Sequence, residues 1–372
     1  MNAVLLDIGS GSVGFSLVEF REGDVPIIKF TAREEFNLGE FLYTEKIVPQ
    51  TFLVIERLKE RMDRVTPVRS EEVHCFLASH LVMSQANTGR AVFDQPETIT
   101  EEIIHDIARS GLNYSLLVPN MEKIEEKIMQ VRLNGYETAE PVGHTAKEVE
   151  ATSFVSLVEK DFLQASKYLL QSLFPDQPIK YHSFAFSSYG VIREILDETD
   201  DEFAFIDVGS EITEVGISRD GSLEKTISFP HGRSSLIREF ASALGGMSPH
   251  VCSELKVWSR GHVHDEFGRG DDLIRAGEGW KEGFKSGVMT EAKGFPGKVF
   301  IISDEDVGPL YSRLLSDSYP EEFFLNNPEI NLIDANLLRD FVKNRSGEGD
   351  DSFLMSEAVF VNKFLSSRIN NN

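Results

Sequence analysis

The chain opens on an apolar run at residues 3–8, interrupted by Asp7, and then passes through a Gly/Ser stretch from Gly9 to Gly14. Residues 15–20 alternate in character, residues 21–24 supply a turn, and residues 26–30 are again apolar. The pattern predicts a strand–turn–strand ribbon without a helix in its first thirty or so positions. Residues 45–62 carry Val48, Phe52, Ile55, Leu58 and Met62 at three- and four-residue spacing, with Pro49 near the start, which predicts an amphipathic helix. Residues 73–79 read as a buried strand. Between 84 and 162 the periodicity predicts a helix over 101–111, a strand over 127–133, a turn at Asn134 and Gly135, a strand over 148–158, and a helix from Asp161 to Leu173. A helix with Leu236, Ile237, Phe240 and Leu244 on one side is expected after Pro230, His231 and Gly232. Another, over 353–368, places Leu354, Ala358, Val361 and Leu365 in register and reads as the last core helix.

Self-similarity is the most informative feature. The segment LLDIGSGSVGFSLVEFREG at Leu5 is echoed by FIDVGSEITEVGISRDG at Phe205, so that Asp7 and Asp207, Gly9 and Gly209, and Ser10 and Ser210 are each offset by 200 positions. Two such copies would build two similar lobes with Gly/Ser hairpins facing across a cleft. Glycine permits close backbone approach, hydroxyls of Ser10, Ser12, Ser210 and Thr213 suit phosphate oxygens, and an aspartate behind each loop suits the waters of a bound Mg²⁺. The first loop also spells G-x-G-x-x-G through Gly9, Gly11 and Gly14. The dinucleotide fingerprint requires that loop to open a helix, and a second strand follows instead.

Composition narrows the function. At 372 residues the chain has room for two or three domains or one two-lobed body, and 41% apolar with 26% charged residues is globular. Thirty-seven Lys and Arg against 61 Asp and Glu give a net charge of −24, which argues against nucleic acid or anionic lipid as a direct partner. Cys75 and Cys252 are too few for a disulfide framework, and no run reaches the ~18 apolar residues of a membrane span, so a cytoplasmic location is expected. His262, His264, Asp265 and Glu266 lie among glycines and read as a surface loop rather than a metal site; the acid runs at 197–202 and 346–351 read as solvated connections.

The paired D-x-G-S loops resemble those of the actin-like ATPase superfamily, and the segment between them resembles the extra subdomain of its FtsA and PilM branches. The resemblance implies an α/β, two-lobed, actin-like (duplicated ribonuclease H-like) fold. It divides the chain into a first lobe at 1–83, an inserted interaction subdomain at 84–162, a return to the first lobe at 163–200, a second lobe from 201–230, its helical subdomain at 231–298, and a closing portion at 299–372. It implies ATP and Mg²⁺ as ligands, with Asp7 and Asp207 holding the metal through water. Gly9, Ser10, Gly11, Ser12, Gly209, Ser210 and Thr213 would surround the phosphates, and Lys256 would approach the ribose.

Several positions depart from the family pattern. Gly14 stands where active members often place a phosphate-binding lysine, residues 181–184 carry no water-orienting acid, Ser253 replaces an acid, and Ser303 with Asp304 replaces a Gly-Gly turn. The helix over 353–368 has Lys363 and Arg368 as its only cations, too few for a lipid-facing anchor. By resemblance the chain is then a cytoplasmic scaffold of a membrane-bound machine, with weak or lost hydrolysis. Type IV pilus assembly leads and an FtsA-like division role follows, each through a membrane-anchored partner bound by the inserted subdomain, with self-association open. An active ATPase or phosphotransferase is the alternative from another class, and an interaction protein that has lost nucleotide altogether is the third.

Overall fold

The computed structural model describes residues 1–36, 44–66, 68–111, 120–196, 202–243, 270–289, 294–304, 307–319, 323–325 and 328–369. Strands β1 (Asn2–Ile8), β2 (Ser12–Glu19) and β3 (Ile27–Glu35) form an antiparallel ribbon. Helix α1 (Thr44–Val65) crosses over, and β4 (Glu72–Leu77) returns parallel to β1. The chain then leaves this sheet through β5 (Val82–Thr98), α2 (Glu101–Ser110), β6 (Met121–Leu133), β7 (Tyr136–Glu137) and β8 (Thr145–Glu159). Helix α3 (Lys160–Leu173) leads back to β9 (Ile179–Ser183), parallel to β4, and to α4 (Phe184–Ile195).

The second half repeats the first. An antiparallel ribbon of β10 (Phe203–Val208), β11 (Thr213–Arg219) and β12 (Ser222–Phe229) is followed by helices α5 (Arg233–Ala243) and α6 (Gly270–Phe284). Strand β13 (Lys298–Ser303) then lies parallel to β10, and after α7 (Gly308–Ser318) β14 (Glu329–Leu332) extends the sheet. Helix α8 (Ala335–Leu338), β15 (Lys343–Asn344) and α9 (Ser352–Ile369) carry the chain back to the first sheet. The sheets run β15-β3-β2-β1-β4-β9 and β12-β11-β10-β13-β14, with β5-β8-β6-β7 as a third.

Strand periodicity positions the site. Val4, Leu6 and Ile8 face an outer core with α1 and α3, whereas Ala3 and Leu5 face the core between the lobes. Phe203 and Phe205 enter that same central core from β10, while Ala204, Ile206 and Val208 face the second lobe's own core with α5, α6 and α7. Asp7 and Asp207 continue the inward-facing alternation of their strands and therefore lie on the two sheet faces that oppose each other. Helices α4 and α9 fill the space between the sheets with Phe184, Ile192, Leu354, Ala358 and Val361. The helix expected over 353–368 is thus a core helix, buried from Phe353 through Val361.

The third sheet is longer than its apolar pattern predicts. Residues 82–98 form a strand that no apolar alternation marks in the sequence, and β6 and β8 start six and three residues before the expected strands at 127 and 148. Their solvent faces alternate Lys, Glu, Gln and Thr, so polar residues mask the period of two. Asn134 and Gly135 make the expected turn between β6 and β7, with φ of 52° and 84°. Helix α2 packs on this sheet through Ile104, Ile107 and Ala108, with Val131, Val149 and Ala151 beneath.

The approach of α2 depends on Gly89, where an added Cβ would lie 1.7 Å from the Ile107 carbonyl oxygen. Gly89→Ala is expected to push the helix off the sheet at a cost of about 1–3 kcal/mol. Amide exchange should accelerate across residues 101–110 and stay unchanged across β1–β3; equal protection in α2 would contradict this packing.

Candidate functional site

The two hairpins are built alike. The Gly9 amide donates to the Ser12 carbonyl at 3.0 Å, and the Gly209 amide donates to the Ile212 carbonyl at 3.0 Å. Their tips touch: a Cβ at Gly11 would sit 2.4 Å from both Cβ and Oγ of Ser210, and the Glu211 amide donates to Ser10 Oγ at 2.9 Å. A cavity of about 30 Å³ remains between them, lined among others by Asp7, Ser12, Arg33, Asp207, Ser210 and Asp304. That is room for one or two waters.

The cation missing from position 14 arrives from the neighbouring strand. Gly14 pairs with Arg33 across β2 and β3, and a Cβ at Gly14 would lie 2.7 Å from Arg33 Nη2 and 3.3 Å from Asp7 Cβ. The absence of a side chain lets the guanidinium lie over the strand. Arg33 Nη2 donates to Asp7 Oδ2 at 2.6 Å, Nη1 donates to Ser12 Oγ at 2.9 Å, and Nε and Nη2 donate to the two Asp351 oxygens at 2.7 and 3.1 Å. Its other face lies 5.2 Å from the Phe353 ring centroid. Asp351 also accepts from the Leu354 amide at 3.0 Å, so one carboxylate caps α9 and grips Arg33. Burial disfavours the Arg33 charge, yet Asp351 and Asp7 outweigh it and hold the guanidinium well above its ordinary pKa.

The second aspartate stands differently. Asp207 is 5% exposed, and among the described residues its Oδ1 has no hydrogen-bond partner. Burial, then the nearby Glu214, Asp7 and Asp304 charges, push its carboxyl well above the usual range. Burial likewise raises Asp7, with Arg33 pulling in the other direction. His80 borders the same cavity with neither ring nitrogen partnered among the described residues, and burial lowers its pKa to about 4.

Of the residues singled out in sequence, Asp7, Gly9, Ser10, Ser12, Asp207, Gly209 and Ser210 converge on this cavity, and Gly11 forms the contact between the hairpins. Thr213 is turned away: its hydroxyl donates to the His231 carbonyl at 2.6 Å and accepts from Trp280 Nε1 at 3.0 Å. The first amides of α5 are also engaged, Arg233 with the Gly209 carbonyl at 2.9 Å and Ser234 with the Ser210 carbonyl at 2.7 Å. Lys256, Ser253, the segment 261–267 and most of the acid run 197–202 lie outside the described residues. At the third signature, Asp304 faces Arg233 at 3.4 Å, and Arg233 reaches Glu35 of the first lobe at 3.3 Å.

An acid does reach the 181–184 segment, and it comes from the inserted sheet. Glu125 of β6 accepts from Ser183 Oγ at 2.8 Å, and Ser183 in turn accepts from the Phe186 amide at 3.3 Å at the start of α4. His182 lies 3.8 Å from Glu125, 3.0 Å from His74, and stacks on Phe76. These contacts tie the insert to the first lobe.

As arranged, the described residues of the cleft do not fit Mg·ATP. Arg33 already neutralises Asp7 and engages Ser12, the hairpin tips are in contact, and ~30 Å³ does not admit a phosphate chain. Among the described residues no group of three or more His, Cys, Asp or Glu side chains is disposed to hold a metal ion. No helix among them is long and apolar enough to cross a membrane.

No family model matches the chain, and no curated protein matches it. Among solved structures it superimposes on one of a PilM-PilN type IV pilus biogenesis complex with TM-score 0.63 and 14% identity, covering 99% of this chain and 98% of that one. Weaker likenesses are a Bacteroides thetaiotaomicron protein with actin-like ATPase fold and unknown function (TM-score 0.39, 9% identity, 97% and 95% covered) and the ethanolamine utilization protein EutJ from Carboxydothermus hydrogenoformans (TM-score 0.46, 11% identity, 97% and 90% covered). The fold is the actin-like ATPase fold in its PilM-like form.

Glu214 offers a test of the cleft's electrostatics, because burial raises its carboxyl from 4.5 to about 7. Between those values the native state keeps a proton that the unfolded chain has released. The stability from this group is therefore complete below pH 4.5 and lost as pH rises through 7. Glu214→Gln should remove a loss of roughly 3 kcal/mol between pH 5 and 8. Parallel urea-stability profiles for the two proteins would show that Glu214 is not buried in the ionisable form described.

Proposed function

We propose that the chain is a PilM-like scaffold of a membrane-bound machine, working in type IV pilus assembly at the cytoplasmic face of the membrane. One observation carries the reading: the superposition on the PilM-PilN structure extends over 99% of this chain, and so takes in the segment inserted between β4 and β9 as well as the two lobes. That insert is the surface offered to a membrane-anchored partner, and Val92 and Tyr136 on it are exposed at 63% and 79%. The cleft supports a scaffold over a phosphotransferase, since Arg33 already occupies the Asp7 side of it and the contact between Gly11 and Ser210 closes the gap that a triphosphate would have to enter. Nucleotide, if it enters at all, does so only after the lobes part, and its part is then to set their angle rather than to be consumed.

The test is flotation with liposomes. The chain should float only with liposomes that carry a PilN-type membrane assembly protein, and V92D together with Y136D should weaken that binding at least tenfold without lowering Tm. Phosphate release from ATP should stay at the buffer level. Turnover that disappears in Asp207→Ala would instead favour the enzyme reading, and flotation on bare anionic liposomes would remove the need for a partner.

A further inference from the structure

We infer that Arg33 is a built-in cation of the cleft, standing in for a metal ion and making the closed arrangement of the lobes independent of Mg·nucleotide. This deepens the scaffold reading by saying what regulates its cleft, and it is tested on the isolated chain, so that it can fail without the partner assignment failing.

The argument begins with charge. Asp7, Asp207 and Asp304 line one small volume and Asp351 meets it through Arg33, with Glu214 paired opposite Asp207 and Glu357 buried close enough to Asp7 to feel its charge. Carboxylates brought together away from water repel one another unless a cation sits among them or they take up protons. A divalent ion held by one or two carboxylates and several waters is one solution. A guanidinium is another, and it needs no water shell, because its planar fork matches carboxylate geometry on two sides at once. Arg33 engages all three of its nitrogens, Nη2 with Asp7, Nε and Nη2 with the two oxygens of Asp351, and Nη1 with Ser12.

Three details favour an occupant that belongs to the fold. Gly14 leaves the strand surface bare where the guanidinium lies, since any Cβ would come within 2.7 Å of it. Phe353 covers the other face of the group at 5.2 Å. Asp351 is fixed by its bond to the Leu354 amide, so Arg33 cannot swing out without leaving an unpaired carboxylate at the head of α9. Across the cleft the same charge attracts Asp304 and Asp207 of the second lobe, which supports closure alongside the Ser10 to Glu211 and Arg233 to Glu35 contacts. A phosphate chain entering here would have to part the hairpins, and it would meet Ser12 and Arg33 already engaged.

The experiment measures thermal melting of the wild-type chain and of Arg33→Gln with EDTA, with millimolar Mg²⁺ or Mn²⁺, and with Mg·ATP. Wild type should melt at the same temperature in all of them. Arg33→Gln, prepared in the presence of Mg²⁺ so that it can fold, should melt lower in EDTA and regain several degrees with either metal ion, because Asp7 and Asp351 are then free to hold one. A rise of several degrees in wild type with Mg·ATP overturns the inference outright. An unresponsive wild type together with an Arg33→Gln variant that gains nothing from metal ions also overturns it, since the guanidinium would then not be filling a cation site.

Discussion

A largely buried positive charge held between two carboxylates sets the arrangement of this cleft. Asp7 lies on the inner face of β1 because of strand alternation, and Asp351 lies at the start of α9 because a helix beginning there needs a cap. Arg33 joins them, so the first hairpin and the helix that fills the space between the lobes cannot shift independently. The contact between the hairpin tips follows from this, since the first hairpin is held in place from behind.

The duplicated architecture was legible from the chain because it rests on short-range rules. An apolar strand, an Asp-Gly-Ser turn and a second strand recur at a fixed offset, and turn chemistry with period two is enough to place Asp7 and Asp207 on facing surfaces. The turn at Asn134 with Gly135 was visible for the same reason, both residues taking positive φ. Thr213 was misleading because its hydroxyl finds partners, His231 and Trp280, that are distant in sequence.

Arg33 was hidden by one irregularity. Counting back from the turn at residues 21–24, a regular ladder continuing the Glu19 to Ile27 pairing places Ala32 opposite Gly14. The register shifts between Leu17 and Val18, and this brings Arg33 into that place. A bulge leaves little trace in composition or periodicity, yet it decides here whether a methyl group or a guanidinium faces the aspartate. Glu125 escaped notice for a related reason: it comes from the inserted sheet to a segment more than fifty positions away, and nothing local marks it as a partner of Ser183.

The pairing of Arg33 with Asp351 has a consequence for how the chain reaches this state. The two residues are 318 positions apart, and the first sheet receives its edge strand β15 and its covering helix α9 only after the second lobe has been traversed. Contacts of such separation are slow to form, and until they do the inward face of β1–β3 presents Ala3, Leu5 and Val18 to solvent. The nascent first lobe therefore carries an uncovered apolar face until the last helix of the chain has been made.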